Sequence, residues 1–166
     1  PLNSFKPSQK EPRFYFEARD TKQVNLILSF LGRGAKEKYK YAAGLLASIL
    51  GMGLSSRLFQ EVRTKRGLAY AVSAHHNSFK DTGAFSIYAG VLKEKADEAL
   101  DAILAELKKL KEAEIPSEEL ERNKRHIKGL TALSLESNSG LASFFVGQSL
   151  IEDEVLTYEE KCRLVD

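Results

Sequence analysis

The stretch from Lys93 to Glu112 constrains the fold more than any other part of this sequence. Its apolar residues recur at steps of three and four positions, with lysine, glutamate and aspartate between them. The recurring residues are Ala96, Leu100, Ile103, Leu107 and Leu110. This spacing places one apolar stripe along an α-helix, and the stripe has to be buried against another element. The sequence therefore predicts a long helix that covers a sheet or other helices.

Three segments carry the pattern of strands. From Gln23 to Phe30, apolar residues alternate with polar ones, apart from Ile27. Ala84–Val91 alternates in the same way, and Leu68–His76 does so weakly. The loop-like stretch Asn77–Gly83 separates the last two segments and contains a glycine, so we expect them to form an antiparallel hairpin.

The N-terminal part contains two predicted segments. Residues 1–12 are polar and contain prolines, which predicts a linker, and the folded domain is expected to cover residues 13–166. Arg13–Ala18 is predicted to be a short strand. The first residue is Pro1 rather than methionine, so we expect this chain to be part of a longer protein, and the compartment stays open between cytoplasm and periplasm.

Helices are predicted on both sides of the hairpin. Lys36–Leu50 has an apolar stripe and is followed by Gly51-Met52-Gly53, where a glycine can end a helix in a left-handed conformation. Ser55 or Ser56 is predicted to cap a short helix that extends through Arg63.

Three further helices are predicted after Pro116. Ser117 is expected to cap a helix that extends to about Leu135. Another helix is expected over Gly140–Leu150, and Thr157 is predicted to cap the last one. A hairpin combined with consecutive helices indicates an α+β fold, in which helices pack on one face of an antiparallel sheet.

Composition excludes several classes of protein. The chain has 25 basic and 23 acidic residues, a net charge of +2, which gives no general attraction to nucleic acid. Two basic clusters, around Arg63 and around Arg125, lack the interleaved aromatic residues that bind single strands, so we predict no nucleic-acid partner. No apolar run is long enough to span a membrane. A single cysteine, Cys162, excludes an internal disulfide.

The histidines do not form a recognisable metal motif. His75 and His76 are neighbours in a predicted strand and would point to opposite faces, and His126 lies far along the chain. No H-x-x-E-H or H-E-x-x-H spacing occurs. Catalytic zinc requires three converging protein ligands. We therefore predict that this chain holds no metal of its own.

Arg63 and Tyr70 are the candidate catalytic and substrate-binding residues. Arg63 ends the predicted short helix, Gly67 supplies a turn, and Tyr70 lies at the start of the next strand. A guanidinium and a phenol are both hydrogen-bond donors, suited to an oxygen on which negative charge develops. In the alternative interpretation, Arg63 pairs with Glu61 or another surface acid, and Tyr70 fills the core with its hydroxyl at the rim.

The same region resembles a known family. The run Ser56-Arg57-Leu58-Phe59-Gln60-Glu61-Val62-Arg63, followed by Gly67-Leu68-Ala69-Tyr70, is similar to the second, non-zinc domain of pitrilysin-type (M16, inverted zincin) metallopeptidases. Members of that family carry a G-x-x-S-R-L-F-x-E-x-R-x-K-x-G-L-x-Y-like pattern there. The likeness extends from Asp20–Phe30, which resembles a D-T-x-Q-x-x-L-x-L-x-F pattern, to Glu160.

The resemblance implies a LuxS/processing-peptidase-like metallohydrolase fold and one half of a zinc endopeptidase. Zinc would be held by an H-x-x-E-H-bearing domain or subunit that is not part of this chain. Arg63 and Tyr70 would bind the peptide substrate and stabilise the transition state from the facing domain. This chain alone is expected to be inactive, because the zinc-binding half is missing.

Two alternatives remain beside this interpretation. The chain could be a non-catalytic scaffold or regulatory subunit of the same superfamily, or an independent peptide-binding module that uses an exposed sheet edge. The pair of donors favours the enzyme over the scaffold, because a scaffold has no need of both.

Overall fold

Alternating apolar and polar residues produce three antiparallel strands in the computed structural model, which describes residues 5–166. They are β1 (Gln23–Gly32), β2 (Ala69–Ser78) and β3 (Gly83–Leu92), in the spatial order β1-β3-β2. β2 and β3 are joined by a tight loop in which the N–H of Phe79 donates to the carbonyl of Thr82 over 2.8 Å. The predicted hairpin is confirmed.

The helices lie where the sequence periodicity predicts them, although their first and last residues differ from the predicted ones by a few positions. They are α1 (Lys40–Gly51), α2 (Ala96–Glu112), α3 (Ser117–Ser134), α4 (Asn138–Ile151) and α5 (Tyr158–Val165), with a π-helix at Phe59–Lys65. A 3₁₀ turn at Lys93–Lys95 leads into α2. Within residues 5–166, no helix combines the length and apolar character that a membrane crossing requires.

The core lies between one face of the sheet and the helices. Leu50 of α1, Val62 of the π-helix, Ile103 of α2, and Ile87 and Val91 of β3 are fully buried together. These side chains come from elements far apart in sequence, so burying them fixes how the helices sit on the sheet. The predicted α+β class, with helices packed against an antiparallel sheet, is confirmed.

We call the opposite side of the sheet the open face. Its side chains are exposed or half-buried, and most are polar. They are Asn25, Ile27 and Ser29 from β1, Ser86 and Tyr88 from β3, and Ser73 and His75 from β2. This face is therefore available for contacts outside the domain.

The predicted strand at Arg13–Ala18 is wrong, because this segment has no regular secondary structure. Its aromatic side chains find no partner in the domain: Phe14 is 90% and Phe16 is 73% exposed. A local ion pair joins Glu17 of the segment to Arg19, just after it. A strand needs a neighbouring strand to satisfy its backbone groups, and none pairs with this segment within residues 5–166.

The start of α1 also differs from its prediction. The helix begins at Lys40 rather than at Lys36, because the preceding residues are held in turns. The N–H of Ala35 donates to the carbonyl of Phe79 over 2.7 Å, and the N–H of Gly34 donates to a carboxylate oxygen of Glu37 over 2.8 Å. The first bond attaches the segment to the hairpin loop, and the second closes a turn within the segment before the helix starts.

The predicted caps have mixed outcomes. Thr157 caps α5 through a reciprocal capping box with Glu160, as predicted. Ser117 does not cap α3, because it lies inside the first turn and Pro116 precedes the helix. Neither Ser55 nor Ser56 caps the π-helix. The buried Ser56 hydroxyl instead donates to the carbonyl of Gly53, which adopts the expected left-handed conformation (φ 85°) after α1.

Candidate functional site

Arg63 lies in the last turn of the π-helix with its side chain exposed. Its guanidinium carbon is 4.9 Å from the centre of the Phe59 ring, one turn earlier in the same helix. This cation–π contact holds the guanidinium against the helix surface without using its N–H donors. π-helical turns are rare in proteins and often occur at functional sites.

Tyr70 lies in a β-bulge. Ala69 pairs with Val91 and Ala71 pairs with Gly90, so Tyr70 is an extra residue without a cross-strand partner. Ala69 and Val72 are buried, whereas the two residues between them are exposed. The bulge therefore leaves Tyr70 out of the core. The Tyr70 side chain is 58% exposed.

Backbone hydrogen bonds connect the segments that carry these two side chains. The N–H of Leu68 donates to the carbonyl of Val62 over 2.9 Å, and the N–H of Gly67 donates to the carbonyl of Arg63 over 3.1 Å. Gly67 has φ 59°, which a residue with a Cβ rarely adopts. This turn fixes the end of the π-helix against the start of β2.

Both donors belong to exposed side chains. Among residues 5–166, neither the guanidinium of Arg63 nor the hydroxyl of Tyr70 has a hydrogen-bond partner, and no bond joins the two side chains. The alternative pairing of Arg63 with Glu61 is wrong, since Glu61 accepts from Arg66 over 2.9 Å and from Lys65 over 3.1 Å. These two cations, Arg66 first, hold the pKa of Glu61 below its ordinary value.

A bidentate ion pair anchors the segment before the π-helix. The Nε of Arg57 donates to Glu119 of α3 over 2.9 Å, and the Nη2 does so over 2.5 Å. Both side chains are largely buried, at 21% and 15% exposure. Arg57 holds the pKa of the Glu119 carboxyl below its ordinary value. The pair therefore fixes the element that carries Arg63 to the helical layer.

A cavity of about 320 Å³ is lined by residues of the π-helix, of the segment before it and of α2. Its lining residues are Ser55, Arg57, Gln60, Glu61, Lys65, Glu106 and Lys109. The charges in this lining compensate one another, because Lys65 bonds Glu61 and Lys109 bonds the buried Glu106. This cavity includes neither Arg63 nor Tyr70.

The histidines are separated. His75 lies on the open face beside Ser73, whereas the ring Nε2 of His76 accepts the N–H of Arg33 over 2.9 Å. His126 belongs to α3 and lies near Gly53. Among residues 5–166, no three histidine, cysteine, aspartate or glutamate side chains are close enough together to hold a metal ion.

Sequence reasoning did not identify a polar network on the open face. The Oδ1 of Asn25 accepts from the Tyr88 hydroxyl over 2.9 Å and from the Gln23 Nε2 over 3.0 Å. The alternating pattern of β1 and β3 places these residues on one face, but their register across the sheet was needed to bring them together. The weak alternation of Leu68–His76 was the sequence signal for the bulge at Tyr70.

Comparison with known proteins identifies the family of this chain. Residues 2–127 match the sequence profile of the family described as Peptidase M16 inactive domain. The chain belongs to this family. Membership confirms the resemblance that the central motif predicts, namely to the second, non-zinc domain of M16 metallopeptidases.

Relatives of this M16 inactive domain are longer proteins. The chain is 34% identical over 157 residues to the zinc protease YmxG of Bacillus subtilis (strain 168), covering 89% of the chain and 38% of the relative. It is 38% identical over 123 residues to a zinc protease of Streptomyces coelicolor, covering 74% of the chain and 27% of the relative. A solved protease structure from Helicobacter pylori matches with a TM-score of 0.75 at 28% identity, covering 89% of this chain and 39% of that one. The chain thus spans less than half the length of these relatives.

Proposed function

We propose that this M16 inactive domain binds the peptide substrate and stabilises the transition state in a zinc-dependent endopeptidase. It does so together with an H-x-x-E-H-bearing domain or subunit that supplies the rest of the active site. The observation that carries this proposal is the pair Arg63 and Tyr70, two exposed hydrogen-bond donors without partners among residues 5–166, on segments joined by backbone bonds.

The chemistry follows from the nature of the two donors. When a peptide carbonyl is attacked, negative charge develops on its oxygen, and donors already in position stabilise that charge without reorganising. Arg63 offers a positively charged group with several N–H donors. Tyr70 offers a neutral O–H on a rigid ring. Together they bind the substrate carbonyl and strengthen their hydrogen bonds as the charge grows.

Zinc belongs to the partner in this proposal. The relatives from Bacillus subtilis and Streptomyces coelicolor are named zinc proteases. The described residues of this chain provide no cluster of ligands for a metal ion, so they do not fit a zinc site. The H-x-x-E-H-bearing half would hold zinc and supply Lewis-acid chemistry, while this chain supplies the donors at the substrate oxygen.

Reconstitution of peptide cleavage tests the proposal. The H-x-x-E-H-bearing half, from the same polypeptide or a separate subunit, is assayed against a fluorogenic peptide library alone and mixed with this chain. We expect cleavage only in the mixture, and its loss when Arg63→Gln and Tyr70→Phe are combined. The matched control combines Arg66→Gln with Tyr39→Phe and keeps activity. Cleavage by the H-x-x-E-H-bearing half alone at the rate of the mixture would overturn the proposal.

A further inference from the structure

Phe59 connects the core to the guanidinium of Arg63. It is the first residue of the π-helix, is half-buried, and packs against the buried core cluster. The residues directly before these two, Leu58 and Val62, are fully buried. Their burial fixes the rotation of the helix about its axis, so the Phe59 ring stays at the edge of the core with Arg63 beside it. Packing therefore gives the ring a defined position.

The face of this ring attracts a cation. An aromatic face carries partial negative charge, and a guanidinium within about 6 Å of the ring centre is attracted to it. The guanidinium carbon of Arg63 lies over the Phe59 ring at 4.9 Å from its centre, inside that range. An arginine side chain otherwise samples many rotamers, and the ring contact restricts them. Arg63 therefore loses less entropy when it binds an acceptor.

An aromatic ring orients a guanidinium without occupying its hydrogen bonds. A carboxylate does the opposite, as Glu61 shows by accepting from the Nε of Arg66 over 2.9 Å. The Phe59 side chain has no oxygen or nitrogen acceptor, so the N–H groups of Arg63 stay available while the side chain is held. A donor that is already in position before negative charge develops on the substrate needs this combination.

We propose that Phe59 is a positioning residue for catalysis, whose π electrons hold the guanidinium of Arg63 in the orientation in which it donates to the substrate carbonyl. This role rests on the proposed function, which supplies the reaction in which Arg63 takes part. Phe59 acts through Arg63 and not on the reacting atoms. Tyr70 is placed by a separate feature, the bulge in β2, and does not depend on the ring.

The electron density of the ring separates this role from core packing. Packing depends on the volume and apolar character of the side chain, whereas the cation–π attraction depends on the negative charge at the ring face. Fluorine atoms withdraw electrons from the face and add little volume. Phenylalanines that carry one, two or three fluorine atoms therefore weaken the contact in steps, while the ring still fills its place in the core.

Peptide cleavage by the reconstituted mixture of both halves measures the effect. We expect kcat/KM to fall stepwise as fluorine atoms are added to the Phe59 ring. In Phe59→Leu it should be about two- to fivefold below wild type, the factor that an exposed cation–π contact represents. Phe144 is the matched control, because it is also half-buried and Lys161 lies over its ring at 5.2 Å. The same fluorine series there, and Phe144→Leu, should leave kcat/KM unchanged.

A double-mutant cycle shows whether Phe59 acts through Arg63. Phe59→Leu should lower kcat/KM in the wild-type background and should have no further effect once Arg63→Gln has removed the guanidinium. Thermal unfolding of each protein in the cycle shows that it is folded under the conditions of the assay.

Nuclear magnetic resonance of the full 166-residue chain detects the contact without turnover. Aromatic ring currents shift the resonances of protons over a ring face upfield. The δ-methylene protons of Arg63 should therefore resonate upfield of those of Arg66, which bonds Glu61 instead. In Phe59→Leu the Arg63 resonances should move downfield.

Three results would overturn the positioning role of Phe59. They are an unchanged kcat/KM across the fluorine series, additive effects of Phe59→Leu and Arg63→Gln, and no upfield shift of the Arg63 protons. A wild-type kcat/KM in Arg63→Gln alone would contradict the proposed function itself, and the role of Phe59 would fall with it. The two kinds of failure are thereby distinguished.

Discussion

Gly51 in the last turn of α1 packs directly against the backbone of Ala74 in β2. A Cβ at position 51 would lie 2.1 Å from the amide nitrogen of Ala74, far inside van der Waals contact. α1 covers β2 closely because this residue has no side chain. The contact fixes the helix against the strand that begins with the Tyr70 bulge.

Gly51→Ala should therefore destabilise the domain. The added methyl group cannot be accommodated by a side-chain rotation, since the obstacle is backbone, and α1 would have to move away from β2. Overpacking of this kind typically costs about 1–3 kcal/mol, and a backbone clash places it at the upper end. Urea denaturation followed by circular dichroism measures the loss.

Gly44→Ala is the matched control in the same helix. A Cβ at position 44 meets nothing within 4 Å. Alanine is favoured over glycine in a helix interior by about 0.8–1 kcal/mol, so this variant should be as stable as wild type or more so. Equal destabilisation by both substitutions would contradict the close approach of α1 to β2.

Glu119→Gln should destabilise the domain at neutral pH. The substitution leaves the largely buried guanidinium of Arg57 without its charged acceptor. Hydrogen bonds to charged groups contribute about 1.5–3 kcal/mol, and we expect a loss in this range. Glu118→Gln changes the neighbouring, exposed carboxylate of α3 and should have little effect on the free energy of unfolding.

The Arg57–Glu119 ion pair also predicts how the stability of the domain depends on pH. Because Arg57 lowers the pKa of Glu119 from its ordinary value of 4.5, the unfolded state takes up the proton more readily than the folded state. The contribution of Glu119 is therefore complete above pH 4.5 and is lost as the pH falls through the lower folded value. Wild type should lose more stability than Glu119→Gln over this window. If the free energies of unfolding of the two proteins changed in parallel with pH, Glu119 would not be the source of this pH dependence.

His76 should make a second, separate contribution to the pH dependence. Burial is the largest effect on this ring and lowers its pKa below 6.5, while the negative charge of the nearby Glu37 acts in the opposite direction. The folded state thus disfavours the protonated ring. The contribution of His76 to the free energy of unfolding should therefore be complete above pH 6.5. It should decrease as the pH falls from there toward the lower pKa that His76 has in the folded state.

A histidine-to-glutamine pair isolates this effect. His76→Gln keeps an acceptor for the Arg33 N–H but does not titrate, so the decrease in unfolding free energy below pH 6.5 should be smaller than in wild type. His75→Gln, on the open face, is the control for loss of a neighbouring imidazole. An undiminished decrease in His76→Gln would assign the pH dependence to other groups.

Local patterns predicted the elements whose contacts repeat along the chain. α2 was predictable because its apolar stripe contacts the core at every turn, and the α5 cap because Thr157 and Glu160 are close in sequence. The strand predicted at Arg13–Ala18 was wrong because a strand depends on a partner edge, which local composition does not reveal.

The candidate site was only partly predictable for the same reason. The motif identified Arg63 and Tyr70, but the bulge that exposes Tyr70 depends on how β2 pairs with β3. The bond from Tyr88 to Asn25 joins residues 63 positions apart, and only the register of β1 with β3 brings them together.

Turnover of the complete two-half enzyme with Tyr70→Phe tests the central claim most directly. The substitution removes one hydroxyl from an exposed ring and should leave folding and zinc content unchanged. Tyr39→Phe is the matched control, because Tyr39 has nearly the same exposure, 57% against 58% for Tyr70. We predict that Tyr70→Phe lowers kcat about 10²–10³-fold, as loss of one oxyanion donor does, while Tyr39→Phe leaves it unchanged. Equal kcat in Tyr70→Phe and wild type would contradict the account.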